Sequence, residues 1–342
     1  MSLGISSVPK TWYPLCTSKQ IRKPGSVQRS QIDDVGFCVY RDHSGIVRCV
    51  SDVCPHRGAP LSMGKVIDDR IACPYHGFQF DPLGMLRFIP SDPGCSENHC
   101  PSCPTKPILP VYTVRERAGF VWVYYDPNEE EWKQTPMLPL PIAPELEDPN
   151  WYVTYGEFEF DAPWQPVFEN ALDNSHIHFL HGSSFGNEKA PVIRNMKTRA
   201  ISDTVSEATF TLTNKPVNAW WNWTAVPEVH VTARAYLPSI STIRFELGGG
   251  ISFLTYVATV PVSANKTVNR YILARTRFPG GIWDPMARSA MDEIFSEDKV
   301  MVERLYDSTL YEERSVRADA LQLIWRKQVR AFVSGDLTVD SV

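Results

Sequence analysis

Two short segments pair a cysteine with a histidine in the same order: Cys54-Pro-His56-Arg-Gly, then Cys73-Pro-Tyr-His76-Gly77, with sixteen residues between His56 and Cys73. Each supplies one soft thiolate and one imidazole, a donor set that suits zinc or an iron–sulfur centre. Structural zinc sites more often draw each pair from one residue type, Cys-x-x-Cys or His-x-His. A mixed pair in each loop is what a [2Fe–2S] centre needs when two cysteines hold one iron and two histidines the other. A zinc ribbon and coincidental structural cysteines are the alternatives. Pro55, Gly58, Pro74 and Gly77 let both loops turn tightly around a ligand.

A second group lies further along. Between Phe168 and Gly182, three of the eight histidines fall within six residues: His176, His178 and His181. On a helix at ~100° per residue, Asn170, Asp173 and His176 share a face. His178 points ~160° away from His176, and His181 ~140° away, so the turn is expected to loosen or end near His181. Gly182 is a natural terminator there. Near the C-terminus, Ala287, Met291, Ile294, Met301 and Leu305 recur as one apolar helical stripe, and Asp298 sits inside it. A buried carboxylate needs a cation, either Arg/Lys or a metal. Two imidazoles and one carboxylate form the facial triad of a non-haem Fe(II) oxygenase. His176, His181 and Asp298 are therefore the expected iron ligands. Solvated histidines and a buried ion pair are the alternatives, and Glu297 is expected off the apolar face, in solvent.

The elements that must position these groups change along the chain. Residues 8–126 carry short β-type runs broken by Pro and Gly (Gly36–Tyr40, Ile46–Val50, Arg70–Cys73, Gly119–Tyr125), an all-β unit with functional loops. Residues 127–150 have the Pro and charge density of a surface linker. From 151 to 342 a second domain is expected: a helical stretch near 165–182, a β-rich region at 205–278, then a helix opened by Asp284 as N-cap and Pro285. Gly248-Gly-Gly250 reads as a bulge within a strand.

Composition narrows the class. The 342 residues hold 34 Lys+Arg against 39 Asp+Glu, a net charge of -5, with no footprint for nucleic acid or an anionic membrane. No secretory signal and no membrane span is read in the sequence, so a soluble cytoplasmic protein is expected.

With both constellations in one chain and in this order, the sequence resembles the terminal oxygenase α subunits of the Rieske non-haem iron oxygenases, from Trp12-Tyr13 to Trp325-Arg326. The family's Asn-x2-Asp-x2-His-x4-His signature is met by Asn170, Asp173, His176 and His181, and its Glu-Asp pair by Glu297-Asp298. Respiratory Rieske proteins add one cysteine to each loop; Ala59 and Tyr75 stand at those positions here, so the resemblance is to the oxygenase and ferredoxin branch, with a potential near about −150 mV.

The resemblance implies an α+β protein: a Rieske β-domain whose cluster is held by Cys54, His56, Cys73 and His76, plus a helix-grip (START-like) catalytic domain with an antiparallel sheet around a helix. It implies a head-to-tail homotrimer in which Asp173, beside Asn170, bridges a cluster histidine of one subunit to an iron histidine of the next. It also implies mononuclear Fe(II), O2, and NAD(P)H electrons from a separate flavin/iron–sulfur reductase or ferredoxin, since no Gly-x-Gly-x-x-Gly fingerprint occurs here. The chain length resembles the compact branch of phthalate-type oxygenases and aromatic O-demethylases, favouring monooxygenation (hydroxylation or oxidative demethylation) of an aromatic or heterocyclic substrate over arene cis-dihydroxylation. A Rieske electron carrier without oxygenase activity and a zinc-ribbon interaction module are the remoter alternatives. Trp220, Trp223, Phe245 and Phe253 are the candidate pocket residues, with Trp221, Phe210 and Tyr256 beside them; most of these aromatics are expected in the core. Cys95, Cys100 and Cys103, near His99 in a Pro-rich loop, read as ordinary reduced thiols, a second metal site being the alternative.

Overall fold

The structure is a computed structural model that describes residues 8–96, 99–127, 138–182, 186–213, 227–306 and 312–336. The chain divides into two compact units, Val8–Leu140 and the part from Pro141 onward.

Among the described residues the first unit contains ten strands: β1 (Thr11–Thr17), β2 (Val27–Ile32), β3 (Val35–Arg41), β4 (Val47–Ser51), β5 (Lys65–Ile67), β6 (Arg70–Ala72), β7 (Gln79–Phe80), β8 (Leu86–Phe88), β9 (Val114–Arg117) and β10 (Phe120–Tyr125). They form three antiparallel sheets, in the orders β1-β10-β9, β2-β3-β4 and β5-β6-β7-β8. Strand β10 reads Phe-Val-Trp-Val-Tyr-Tyr and is buried along its whole length, as a continuous apolar run requires. Asp33 and Asp34 take φ values of 49° and 63°, the two left-handed positions of a type I′ hairpin, and so set the β2–β3 register Ile32↔Val35. The two Cys-His segments follow β4 and β6, on loops between strands.

Among its described residues the second unit is a seven-stranded antiparallel sheet with helices. Its strands are β11 (Tyr152–Phe160), β12 (Arg194–Ser202), β13 (Val205–Thr213), β14 (Glu228–Tyr236), β15 (Ile240–Glu246), β16 (Ser252–Ser263) and β17 (Lys266–Arg275), in the order β11-β17-β16-β15-β14-β13-β12. Its helices are α1 (Trp164–Leu172), α2 (Ile177–Leu180), α3 (Trp283–Val302) and α4 (Ala320–Ser334). The α+β class and the large antiparallel sheet agree with the sequence. Among the described residues no helix is long and apolar enough to cross a membrane.

Helix α3 packs Met291, Phe295 and Val302 against Phe160, Val257, Tyr271 and Leu273. Burial of each such side chain stabilises by roughly 1.5–3 kcal/mol. The expected stripe is corrected here: Met301 and Leu305 are about half exposed, and Phe295 and Val302 take their place. At 100° per residue, 295, 298 and 302 all lie within ~40° of 291, whereas 301 lies ~80° from it. Asp298 keeps its place on the buried face, 6% exposed.

The start of α3 also differs. The helix begins at Trp283, so Asp284 lies in its first turn and does not cap it; its Oδ1 accepts hydrogen bonds from Thr154 Oγ1 (2.6 Å) and from Arg275. Gly248–Gly250 do not form a bulge. They are the β15–β16 hairpin turn, with φ of 81°, 59° and 74°, closed by Leu247 N–H donating to Ile251 O at 3.0 Å. Within 141–147, Tyr256 Oη donates to Pro141 O (2.6 Å) and Glu145 pairs with Arg244 (3.2 Å), so this stretch lies on the sheet.

Helix α4 clamps α1. Trp325 is fully buried against the rings of Trp164 and Phe168, and its indole N–H donates to Pro238 O at 2.8 Å. Arg326 is gripped by Glu169 and Glu313.

Candidate metal centres and active site

In the first unit the two Cys-His loops share one hydrogen-bond frame. Cys54 N–H donates to Ala59 O (2.9 Å) while Gly58 N–H donates back to Cys54 O (2.8 Å). Cys73 N–H donates to Phe78 O (2.9 Å) while Gly77 N–H returns to Cys73 O (3.0 Å). Gly58 and Gly77 close these turns at φ of 72° and 73°, where an L side chain is strained. The frames point the two thiols inward and the two imidazoles outward: Cys54 and Cys73 are buried, His56 and His76 exposed. The imidazole rings meet edge to face at 4.6 Å, and Phe78 stacks on His56 at 4.4 Å. Burial pushes the Cys54 thiol up to about 11, so a thiolate there calls for a compensating cation. Two buried thiols behind two facing imidazoles fit a [2Fe–2S] centre.

In the second unit the helix expected over 165–182 is broken, and earlier than expected. Helix α1 stops at Leu172; Asp173 is extended (φ −76°, ψ 119°), and its Oδ1 accepts the Ser175 N–H at 2.7 Å, an Asx turn in place of helical pairing. The chain then restarts as the single turn α2, with His176 at its N-cap and His181 at its C-cap. That short element brings the two rings together despite their spacing. His176 Nε2 lies 3.2 Å from His181 Nε2, and Asp298 Oδ1 lies 3.5 Å and 3.3 Å from the two.

Donor atoms on one cation at ~2.1 Å cannot be more than ~4.2 Å apart, and these three meet that condition. Asp298 Oδ1 and His176 Nδ1 are buried without hydrogen-bond partners among the described residues, a cost that a bound cation at Asp298 removes. The donor set fits a ferrous ion, with positions left for other ligands. The sequence's ion-pair alternative finds no Arg or Lys beside Asp298 among the described contacts.

Glu297 is not in solvent: its Oε2 accepts from His181 Nδ1 at 2.7 Å, with the carboxylate side chain 14% exposed. Consecutive residues of α3 therefore hold both nitrogens of one imidazole. Burial lowers both histidines. For His181 this is outweighed by Asp298 and Glu297, which hold it above its ordinary value, whereas burial prevails at His176. Asp173 Oδ2 lies 3.8 Å from His176 Nδ1, beyond a hydrogen bond. His178 turns the other way, buried, and accepts the Asn187 N–H at 3.2 Å. Gly186 closes the site from behind: a Cβ there would meet Ile177 O at 2.3 Å and the His181 carbonyl at 2.9 Å.

A largely apolar cavity opens on these three donor atoms, walled by Phe160, Val257, Met291 and Phe295. Phe245 lines it, as does Asn170, while Phe253 packs in the adjoining core. Trp220, Trp221 and Trp223 lie outside the described residues; Phe210 and Tyr256 are buried core. Ser241 and Asn269 also line the cavity, both buried, and Ser241 Oγ and Asn269 Oδ1 have no hydrogen-bond partners among the described residues. Sequence reading missed Glu297, Gly186, Ser241 and Asn269. The available signal for Glu297 was chemical, since a metal-binding histidine usually gives its second N–H to a carboxylate.

The vanillate O-demethylase oxygenase C-terminal domain family matches residues 160–334, and the Rieske [2Fe–2S] domain matches residues 11–110. The chain is 31% identical over 177 residues to chloroplastic chlorophyllide a oxygenase of Chlamydomonas reinhardtii (51% of this chain, 24% of that protein). It is 32% identical over 199 residues to a vanillate O-demethylase oxygenase subunit of Pseudomonas sp. (57% and 50%). It is 24% identical over 337 residues to methylxanthine N1-demethylase NdmA of Pseudomonas putida (93% and 87%). The match thus spans 24% and 50% of the length of the first two relatives. Among solved structures, NdmA of Pseudomonas putida CBB5 with caffeine has a TM-score of 0.76 at 21% identity, covering 96% of this chain and 92% of that one. Dicamba monooxygenase bound to dicamba has a TM-score of 0.75 at 19% identity, covering 96% and 98%. At these identities the structural likeness is one of fold.

Proposed function

The chain belongs to the Rieske-type oxygenases whose C-terminal half is a vanillate O-demethylase oxygenase domain, and on that premise we propose that it is a terminal oxygenase that monooxygenates a small aromatic or heterocyclic molecule, by hydroxylation or oxidative demethylation. One observation carries this function: His176 Nε2, His181 Nε2 and Asp298 Oδ1 converge at 3.2–3.5 Å on the edge of an apolar cavity. Cys54, Cys73, His56 and His76 would hold the [2Fe–2S] cluster, and His176, His181 and Asp298 the mononuclear iron. Together these groups supply one-electron storage and oxygen activation.

The chain's own residues do the rest. Glu297 fixes the tautomer and orientation of His181 by taking its Nδ1 proton in a hydrogen bond. Phe160, Val257, Met291 and Phe295 exclude water and favour a flat apolar substrate. Ser241 Oγ and Asn269 Oδ1 orient it: the amide oxygen accepts an N–H or O–H, and the hydroxyl serves a heteroatom. Reaction at an O- or N-methyl group held beside the triad suits this lining, and the vanillate and methylxanthine demethylases among the relatives support it.

Electrons come from NAD(P)H through a separate reductase or ferredoxin. The same proposal includes a cytosolic head-to-tail trimer in which Asp173, its side chain 30% exposed, bridges to a cluster histidine of another subunit. Support for the docking comes from Val53, Met63 and Tyr75, large apolar residues exposed on and near the cluster loops. The five free cysteines fit a reducing compartment.

The test is metal and product analysis on anaerobically purified protein. About three iron and two sulfide per chain are expected, with product formed in the presence of a surrogate reductase. His181→Ala should fall to about two iron with its visible absorption intact and no product. Asp173→Asn should keep all the iron and lose turnover. Full iron and activity in His181→Ala would reject the triad.

A further inference from the structure

We propose that Cys95, Cys100 and Cys103 form a zinc site, separate from both iron centres, that staples the long loop between β8 and β9. From residue 89 to residue 113 the chain has no helix or strand among the described residues. Loops beyond about 12–15 residues without structure of their own are uncommon in compact domains. The apolar anchors of this one sit at its ends: Ile89 at the start, and Ile108, Leu109 and Val111 at the finish, all in the core cluster that also contains Cys54 and Cys73. The middle has little apolar surface to bury, and the three cysteines lie there.

Their sulfurs converge. All three lie within 4.8 Å of one another. One sulfur can enter only one disulfide, so any cystine pairing leaves a third thiol pressed against it. A cation bound by three thiolates uses all three. The gaps, Cys95-x4-Cys100-x2-Cys103, fall within the two-to-four-residue spacing of zinc ligand pairs. Backbone turns fold the segment into this shape: Cys95 N–H donates to Asp92 O and Cys103 N–H to Cys100 O, each at 3.0 Å. Thiolates select a soft cation, and three of them leave the fourth position of a tetrahedral zinc to a further ligand. Binding releases the thiol protons to solvent and changes no oxidation state.

The staple bears on the [2Fe–2S] loops. Pro90 at the root of the loop lies against Gly77, where a Cβ would come within 2.9 Å of its Cγ, and Cys103 packs on the core beneath Cys54 and Cys73.

The experiment is elemental analysis of the full chain, purified anaerobically with a thiol reductant and passed over a chelating resin. About one zinc per chain is expected. It should persist in His181→Ala, which excludes zinc adventitiously held by the triad, and fall at least tenfold in Cys100→Ser with the cluster absorption retained. Zinc below a tenth per chain in the wild type, or unchanged in Cys100→Ser, overturns the proposal. If Cys100→Ser does not fold, zinc-edge X-ray absorption on the wild type decides. A shell dominated by sulfur at ~2.3 Å supports the site, and one of nitrogen and oxygen alone overturns it.

Discussion

Removing the carboxylate behind His181 should weaken the mononuclear iron site without touching the cluster. Glu297 Oε2 accepts from His181 Nδ1 at 2.7 Å, between side chains 14% and 3% exposed. Glu297→Gln keeps the shape and an acceptor oxygen but loses the charge. Hydrogen bonds to charged groups contribute ~1.5–3 kcal/mol against ~0.5–1.5 for neutral ones, and a difference of about 1 kcal/mol corresponds to roughly fivefold in Fe(II) affinity. Glu297→Ala leaves a buried N–H without an acceptor, which costs ~1–3 kcal/mol. The range measured for lost outer partners of metal-bound histidines, 10–100-fold, is comparable. The assay is anaerobic calorimetric titration of Fe(II) into protein stripped of mononuclear iron, with the cluster's visible absorption as the control for folding. Affinity of Glu297→Ala within about twofold of the wild type, with unchanged turnover, would refute a positioning role.

Asp284 anchors the start of the helix that carries Asp298. Burial alone would raise its carboxyl, but the Thr154 hydroxyl and the Arg275 guanidinium outweigh that and hold it below the ordinary value. Its contribution is therefore fully present above the unfolded carboxylate value of ~3.9 and is lost as pH falls through the lower folded value. Asp284→Asn should lower the Tm of the catalytic unit by ~4–8 °C at pH 7, about 2 kcal/mol, and calorimetry should find the gap from wild type closing toward pH 3. Gly186→Ala should drive a methyl group into Ile177 O and displace His181. A loss of ~1–3 kcal/mol is expected together with weaker iron retention, read from iron per chain after gel filtration; full retention would show that the backbone yields there at no cost to the site.

The cysteine–histidine loops were legible because each pair lies within one turn, so the spacing alone reports the donor set. Asp298 was legible for a different reason: a carboxylate inside an apolar stripe contradicts the pattern around it. The helix break was not. Its cause is a single side chain, Asp173, competing for the Ser175 N–H, and the residues before it are ordinary helix formers. Glu297 was expected in solvent off the apolar face, but its carboxylate reaches the second nitrogen of His181, 116 positions earlier in the chain, and no local pattern announces that. Ser241 and Asn269 escaped for the same reason. Ser241, Ile243 and Phe245 alternate along β15 and so share the cavity face, but which face becomes a cavity is decided by α1 and α3.

The strand order carries a consequence for how the chain is made. Strand β11 opens the catalytic unit but finds its partner only in β17, with Tyr152 opposite Arg275. The third donor waits for Asp298, and the clamp on α1 waits for Arg326. The first unit is complete in sequence by Leu140. On a ribosome adding about 5–20 residues per second, roughly 10–40 s separate its emergence from that of α4. The Cys-His loops can thus fold while the catalytic unit is still an open sheet, and the histidine–aspartate site forms only after Asp298 has emerged. By chain order alone, all residues of the Cys-His site are available before those of the histidine–aspartate site.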